Sequence, residues 1–235
     1  MIDPFSRNNL LAKLPKSDLE ALKPRLEFVD LKLGEVLYHP NKTMDYAYFP
    51  ISGICSIIAE NSKGVQIETG VIGREGFVGI PIVHFADSTP SQMLVQGEGR
   101  ALRITRQHLL KAVQKSPLLL KVLLQFAHVF AVQVSQTAVA NGHYTIIERL
   151  ARWLLLYQDR EESHELQLTH HFLSLMLAVR RAGVTEALTF LEGKKAIRAM
   201  RGRIIVLNRK FLEDIAGEVY GVSEKECEQV LGKMP

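Results

Sequence analysis

The spacing of hydrophobic positions changes along the chain and outlines its architecture. Between residues 28 and 104, short runs that alternate or are β-branched, such as VQIETGVI and RALRIT, are separated by the turn signals LKLG, HPNK, PISG, NSKG and GREG. Short strands bounded by turns at such intervals are typical of an all-β sandwich or barrel. The pattern predicts an antiparallel β-roll, preceded by a short helical segment at residues 10–26.

The pattern becomes helical at RQHLLKAVQK, and Pro117 is suited to open a second, longer helix because its missing N–H needs no partner there. Apolar residues then recur at alternating intervals of four and three, as in a coiled-coil seam: Leu120, Leu124, Ala127, Ala131, Val134 and Ala138. This seam predicts a dimer interface. A second apolar stripe, Leu123, Phe126 and Phe130, leaves open that the helix packs only on its own roll, and both arrangements can hold together. Gly142 is predicted to end the helix.

A second domain is predicted beyond this helix. Thr145 and Glu148 have the spacing of a capping box at the start of TIIERLARWLLLY, which predicts a helix. Residues 164–168 are predicted to form a short strand, and Thr169 to cap the helix that follows. We divide the chain into a β-roll domain at 1–116, a dimerisation helix at 117–142 and a C-terminal domain at 143–235.

Two helices and a hairpin follow in succession. The positions that the helix pair is predicted to bury are Leu173, Met176, Leu177, Val184, Leu188 and Leu191. The second helix is predicted to begin near Arg180 or Arg181. Its opposite face carries side chains that nothing within the chain requires: Arg181, Ala182, Thr185, Glu186 and Thr189. The segment KKAIRAMRGRIIVLNRK then predicts two short strands joined as a basic hairpin.

Charge distinguishes this region from the rest of the chain. Residues 169–210 contain nine Lys or Arg and two acids, whereas the whole chain has a net charge of only +4. Such a concentration is expected where a protein contacts phosphate, although a solvated basic face has the same composition. Arg181 can make a bidentate contact to guanine, and Glu186 can accept from cytosine or pair with a neighbouring arginine. The residues predicted to contact DNA are Arg180, Arg181, Thr185, Glu186, Thr189, Lys194, Lys195, Arg201 and Arg203.

Other classes of protein fit the sequence poorly. Cys55 and Cys227 lack the close spacing of a metal or redox site, which favours a reducing, cytoplasmic compartment, and the first residues lack the apolar core of a secretory signal. Residues 122–147 have no formal charge, but polar side chains interrupt them, so no membrane span is predicted. His170 and His171 are adjacent and cannot face one metal from a helix. No catalytic or metal-binding residue is predicted, and an enzyme is not expected.

The succession of elements, and the run LMLAVRRAGVTEALTFLE in particular, resembles the transcription regulators of the Crp/Fnr superfamily. The resemblance covers nearly the whole chain. It implies an α+β protein with a jelly-roll-like, cyclic-nucleotide-type β-roll, a dimerisation helix and a winged helix-turn-helix. It also implies double-stranded DNA, a second copy of the chain and RNA polymerase as partners.

Within that family, the branch that responds to cyclic AMP opens its recognition helix with Arg-Glu and has a further Arg four residues after that Glu. The corresponding residues here are Arg181, Ala182 and Glu186. Only Arg181 matches, so the target DNA site is expected to share at most part of that branch's sequence preference. Ala178 stands where the family usually has Gly, which costs about 1 kcal/mol if the backbone there is left-handed.

The sensor domain departs from the pattern of members that bind cyclic nucleotides. Those members carry Gly-Glu, then an Arg, which hold the ribose and the cyclic phosphate. Here Gly79 precedes Ile80, and the Arg position falls near Ser91 and Gln92. These four residues mark the predicted effector pocket. Cyclic AMP and cyclic GMP are disfavoured there, because an unpaired phosphate is costly to desolvate.

Other cofactors are disfavoured as well. An iron–sulfur cluster needs four thiolates, and the chain has two cysteines. A haem would depend on a lone histidine, His39, His84 or His128, and such residues more often belong to a core or a surface. Arg74 and Glu75 are predicted to be turn and surface residues. A second function also remains open: the chain is a β-roll signalling module whose C-terminal helices bind a protein instead of DNA.

Overall fold

The described part of the chain folds into two β-sheets and the helices around them. The computed structural model describes residues 4–161 and 165–232. Its helices are α1 (Lys16–Leu22), α2 (Ile80–Val83), α3 (Arg106–Lys115), α4 (Pro117–His143), α5 (Ile146–Gln158), α6 (His170–Leu177), α7 (Arg181–Gly193), α8 (Arg209–Ala216) and α9 (Val222–Leu231). Its strands are β1 (Glu27–Leu31), β2 (Val36–Tyr38), β3 (Tyr46–Glu60), β4 (Gln66–Ile72), β5 (Gln92–Thr105), β6 (Glu165–Leu166), β7 (Ile197–Met200) and β8 (Arg203–Val206). The predicted α+β architecture is confirmed.

The larger sheet is antiparallel, with the order β1-β5-β3-β4 and β2 also paired to β5. β3 and β5 pair over most of their length, with register shifts between Pro50 and Cys55. The predicted turn at PISG is wrong, because this segment lies inside β3 as a bulge. Gly53 has a φ of +81°, and a Cβ at Gly99 would lie 2.3 Å from the Ser52 carbonyl oxygen. The glycines therefore let the two strands bend together instead of reversing direction.

α4 packs against the roll through aromatic rings. Phe126 of α4 contacts Phe77, which in turn contacts Phe49, with ring centroids 5.7 and 5.8 Å apart. A Cβ at Gly76 would lie 2.0 Å from the Phe126 ring, so the helix approaches the backbone of the roll directly. The predicted second apolar stripe is confirmed, since all its members are buried: Leu123, Phe126 and Phe130. Burial of each such side chain contributes about 1.5–3 kcal/mol.

The other face of α4 is exposed along the helix. Its exposed positions include Lys121, Leu124, His128, Ala131, Ser135, Ala138 and Gly142. Three residues of the predicted seam lie on this face: Leu124, Ala131 and Ala138. Two others, Leu120 and Val134, are half-buried against the roll. Ala127 is only 8% exposed, so its prediction as part of a free seam is corrected. The roll therefore covers a wider part of the α4 surface than the predicted second apolar stripe alone.

α4 is also the helix, among the described residues, that could cross a membrane by length and composition alone, with a mean hydropathy of 1.7 in its most apolar window. Of that window, 44% is buried inside the protein, as in a helix that belongs to a core. The helix continues through Gly142 and ends at His143, where Tyr144 takes an extended conformation. The predicted end at Gly142 is therefore corrected by one residue.

The C-terminal domain has a second apolar core, built by α5 to α8 and the small antiparallel sheet β6-β8-β7. The predicted capping box opens α5: the Thr145 hydroxyl accepts from Glu148 N, and the Glu148 carboxylate accepts from Thr145 N at 2.7 Å. The strand predicted at residues 164–168 is β6, and His164 lies outside the described residues. The hairpin of β7 and β8 confirms the predicted wing.

The last helix, α9, packs against α4 and the roll. His128 Nε2 lies 2.8 Å from Glu226 Oε1, and the Gln125 amide donates to the Val230 carbonyl at 3.4 Å. Leu231 is buried in the core of the roll. The end of the described chain thus ties the C-terminal domain to the sensor domain, a contact that the predicted divisions after residues 116 and 142 do not anticipate.

Candidate nucleic-acid interface

A tight turn joins the two helices of the predicted pair. The Thr169 hydroxyl caps α6. Ala178 then takes a left-handed backbone, with φ 48° and ψ 44°, and α7 begins at Arg181. The left-handed conformation anticipated at this position is present, at a cost of about 1–2 kcal/mol for a residue with a Cβ. Arg149 of α5 donates to the Leu177 carbonyl and holds the end of α6 in place.

The helix pair turns one face inward and the other to solvent. The predicted buried positions are at most 4% exposed: Leu173, Met176, Leu177, Val184, Leu188 and Leu191. The predicted outer positions are all exposed: Arg181, Ala182, Thr185, Glu186 and Thr189. The Thr185 and Thr189 hydroxyls donate to carbonyls one turn back, at 3.0 and 2.9 Å. Because those hydrogens are used, the two threonines offer methyl groups and acceptor lone pairs to a base edge.

A groove of about 870 Å³ lies between α7, the start of α6 and the β7–β8 hairpin. Its lining includes His170, His171, Arg181, Thr185, Thr189 and Arg201. Glu192 Oε1 accepts from Ala199 N at 2.7 Å, so the end of α7 is fastened to the hairpin. A helix that protrudes beside a cationic wing can enter the major groove of DNA while the wing contacts the neighbouring phosphates.

The basic residues of this region fall into two groups. Six are exposed on the helix pair and the wing: Arg180, Arg181, Lys194, Lys195, Arg198 and Arg201. Three form ion pairs within the chain: Arg203 with Glu165 at 2.9 Å, Arg209 with Asp159 at 2.7 Å, and Lys210 with Asp214 at 2.8 Å. Arg203, predicted as a phosphate contact, therefore already has a carboxylate partner, which weakens the positive potential that it can offer.

Sequence reasoning missed three exposed residues of this surface. His170 and His171 stand in the first turn of α6, where backbone N–H groups lack helical partners and favour an anion. Arg198 lies on β7, the outer strand of the small sheet. The Thr169 cap is the signal that places the two histidines at a helix start, whereas the outward direction of Arg198 depends on the strand register.

The four residues of the predicted effector pocket lie at two places on the roll. Gly79, with a φ of +114°, precedes α2, in which Ile80 is half-buried. Ser91 and Gln92 are half-buried at the beginning of β5. A cavity of about 230 Å³ lies elsewhere, where the GREG turn (residues 73–76), α4, the end of α5 and α9 meet, and none of the four residues lines it.

The GREG turn corrects the prediction made for Glu75. Glu75 is 9% exposed rather than a surface residue, and its carboxylate accepts from Arg160 Nε at 2.7 Å. Its oxygens also lie 3.1 Å from Gly73 N. The prediction fails because the partner that makes burial tolerable stands 85 residues further along the chain.

Both cysteines are free thiols. Cys55 is buried in the roll, and Cys227 is half-buried on α9. Burial raises the pKa of each thiol to about 12. Both thiols are therefore protonated near neutral pH, whereas the thiolate is the reactive form. The described residues contain no cluster of three or more metal-ligating side chains.

The roll, the long helix and the winged helix pair define the class of the protein, a DNA-binding regulator with a cyclic-nucleotide-type sensor domain. Two family models match the chain in this order: the cyclic nucleotide-binding domain at residues 28–116, and the Crp-like helix-turn-helix domain at residues 148–215. With both domains present, the chain belongs to the Crp/Fnr family of transcription regulators.

Solved structures of regulators share this fold. FixK2 from Bradyrhizobium japonicum superposes with a TM-score of 0.70 over 82% of this chain and 98% of its own, at 16% identity. A CRP/FNR-family regulator from Thermus thermophilus superposes with a TM-score of 0.67 over 81% of this chain and 98% of its own, at 22% identity. The c-di-GMP-responsive regulator CLP from Xanthomonas campestris superposes with a TM-score of 0.67 over 82% of this chain and 99% of its own, at 18% identity. At these identities the likeness concerns the fold alone. No curated protein matches the chain.

Proposed function

We propose that this regulator acts as a homodimer on a nearly palindromic DNA site. The exposed face of α4 carries the proposal. Leu124, Ala131 and Ala138 recur on it at intervals of seven residues, and Leu124 is 41% exposed. Small residues let two helices approach closely, and a seven-residue repeat keeps the contact line on one side of each helix. Two-fold symmetry then sets the two α7 helices about 34 Å apart, to meet successive faces of the major groove.

The oligomeric state in solution tests this proposal. Light scattering should give twice the chain mass of 26.4 kDa for the wild type. Ala131→Glu places a carboxylate on each side of the seam and should give monomers that bind a two-half-site duplex no better than a single half-site. Gln114→Glu, at an exposed position of α3, is the matched control and should stay dimeric. A monomeric wild type at cellular concentration, or a dimeric Ala131→Glu variant, contradicts the proposal.

Within each half-site we assign base recognition to Arg181, supported by Thr185 and Thr189, because these side chains lie on the outer face of α7. Glu186 shares that face and can accept from cytosine. The remaining basic residues are assigned to phosphate contacts, which position the domain without reading sequence: Arg180, Lys194, Lys195, Arg201 and, more weakly, Arg203.

We also propose that the roll responds to a signal other than cyclic AMP or cyclic GMP, and without a haem or an iron–sulfur cluster. Ile80 and Ser91 carry no charge where a cyclic nucleotide needs a carboxylate and a guanidinium. An effector acts only if it binds one arrangement of the dimer better than the other. The protein would work in the cytoplasm with RNA polymerase as a partner, and we assign no catalytic residue.

A further inference from the structure

A carboxyl group lies inside the interface between the roll and the DNA-binding domain. Glu68 of β4 is 5% exposed, and the Trp153 indole of α5 donates to its Oε1 at 2.7 Å. Within the described residues, Glu68 Oε2 is buried without a hydrogen-bond partner. Ile54 and Val71 of the roll belong to the apolar core of the C-terminal domain, so the carboxyl group stands at a packed boundary.

The neighbours of Glu68 come from both domains. Ser56 of β3 donates to Gln96 of β5 at 2.7 Å, and the Gln96 amide contacts the Met176 sulfur of α6. Arg152 of α5 is the charged group that acts on Glu68, but its guanidinium donates to the Val219 carbonyl at 2.9 Å and to Thr137. The ionised form of Glu68 would therefore have only neutral donors beside it, from Trp153, Ser56 and Gln96, and no ion pair among the described residues.

These surroundings place the titration of Glu68 near neutral pH. Burial raises its pKa from 4.5 to about 7, partly offset by Ser56, Trp153 and Arg152. Because the pKa is raised in the folded state, the group's contribution to stability is fully present below pH 4.5 and is lost as pH rises through about 7. The ionised carboxylate is costly where it stands, and it regains water if the interface opens.

We propose that the proton on Glu68 acts as a latch between the sensor domain and the DNA-binding domain. With the proton bound, the roll holds Trp153 and, through Gln96, the first helix of the helix pair. Without it, the two domains separate more readily. Since Met176 lies on α6, directly before the turn into α7, docking on the roll restricts where the recognition helix can point. The latch would thus couple DNA binding to pH.

The Trp153 side chain reports on the latch directly. It is the single tryptophan of the chain, it donates to Glu68, and it is 4% exposed in the docked arrangement. Acrylamide quenching of the full-length protein, measured between about pH 5.5 and 8.5, should increase severalfold with a midpoint near neutral pH. If only the protonated form docks, the ratio of separated to docked molecules rises by up to about tenfold per pH unit above the pKa.

Three variants separate the latch from other titrations. Glu68→Gln should hold quenching low and constant across the range, and Glu68→Met, which has a similar volume, serves if the glutamine variant folds poorly. Glu60→Gln changes an exposed carboxylate on the neighbouring strand β3 and should titrate like the wild type. All three keep every histidine, so histidine titration cannot account for a difference.

Two results would overturn the proposal. One is wild-type quenching that stays flat over the range, or that follows the same curve in the glutamine and methionine variants. The other is an affinity for a duplex site that changes with pH by the same factor in the wild type and in Glu68→Gln, which would leave Glu68 without a regulatory effect. The quenching measurement needs neither DNA nor a dimer, so its failure is distinct from failure of the proposed function.

Discussion

The Arg160 guanidinium lies against the Glu75 carboxylate, with Nε and Oε1 2.7 Å apart, and joins the segment after α5 to the GREG turn of the roll. The two side chains are only 8% and 11% exposed. Arg160 Nη1 also donates to the Leu156 carbonyl at 2.7 Å, so the guanidinium is anchored on the last turn of α5. The pair is a polar connection between the two domains, beside the apolar packing around Trp153.

Removal of one partner should be costly. Arg160→Met leaves the Glu75 carboxylate buried without its cation and should lower the free energy of unfolding by about 3–5 kcal/mol, measured by urea denaturation. Replacing both residues with apolar ones should recover part of that loss. Lys210→Met, which breaks the exposed pair with Asp214, is the control and should cost much less, because solvent screens a pair at the surface. Equal costs for Arg160→Met and Lys210→Met would show that the buried pair has no special role.

Arg181 should determine sequence preference. Arg181→Ala should cost about 1–3 kcal/mol of binding to the selected site and relax one base position in each half-site, measured by selection from random duplexes. Arg201→Ala at the tip of the wing is the matched comparison. It should weaken binding to all sequences alike and reduce the slope of log affinity against log salt by about 1. Unchanged preference in Arg181→Ala would mean that α7 does not read the bases in this way.

Ala178 should be a strained position. Ala178→Gly should stabilise the protein by about 1 kcal/mol, because glycine takes the left-handed conformation without the Cβ contact. Ala182→Gly lies four residues on, in the right-handed first turn of α7, and should instead lower the stability, because glycine there relieves no strain and adds entropy to the unfolded chain. Thermal unfolding of the two variants compares them directly. A loss of stability in both variants would show that the turn at Ala178 carries no strain.

Cyclic nucleotides should leave the protein unaffected. Cyclic AMP or cyclic GMP at about 1 mM, enough to half-saturate a site with a binding free energy of about −4.1 kcal/mol, should change neither DNA affinity nor thermal stability. The physical reason is that Ile80 and Ser91 provide no charge for the ribose and the phosphate. A rise in melting temperature with either nucleotide would contradict this expectation and would identify a binding mode without those two contacts.

Features that depend on a few neighbouring residues were predictable. The capping box of Thr145 and Glu148 is an interaction across one helical turn. The left-handed backbone of Ala178 was expected from the family resemblance, because that family usually has Gly at this turn. The outward direction of Arg181 and Thr185 follows from the 3.6-residue period once the buried positions are recognised. Class, order of elements and the candidate DNA-reading face are therefore available from the chain itself.

Contacts between residues that lie far apart in the sequence were not predictable. Glu75 meets Arg160 across 85 positions, Trp153 meets Glu68 across 85, and Arg203 meets Glu165 across 38. No local period or propensity encodes such pairs, because a charged side chain has the same sequence signature whether it faces water or a buried partner. Only the packing of the roll against α4, α5 and α9 decides which of these groups lose solvent, and burial in turn raises the pKa of the Glu68 carboxyl group.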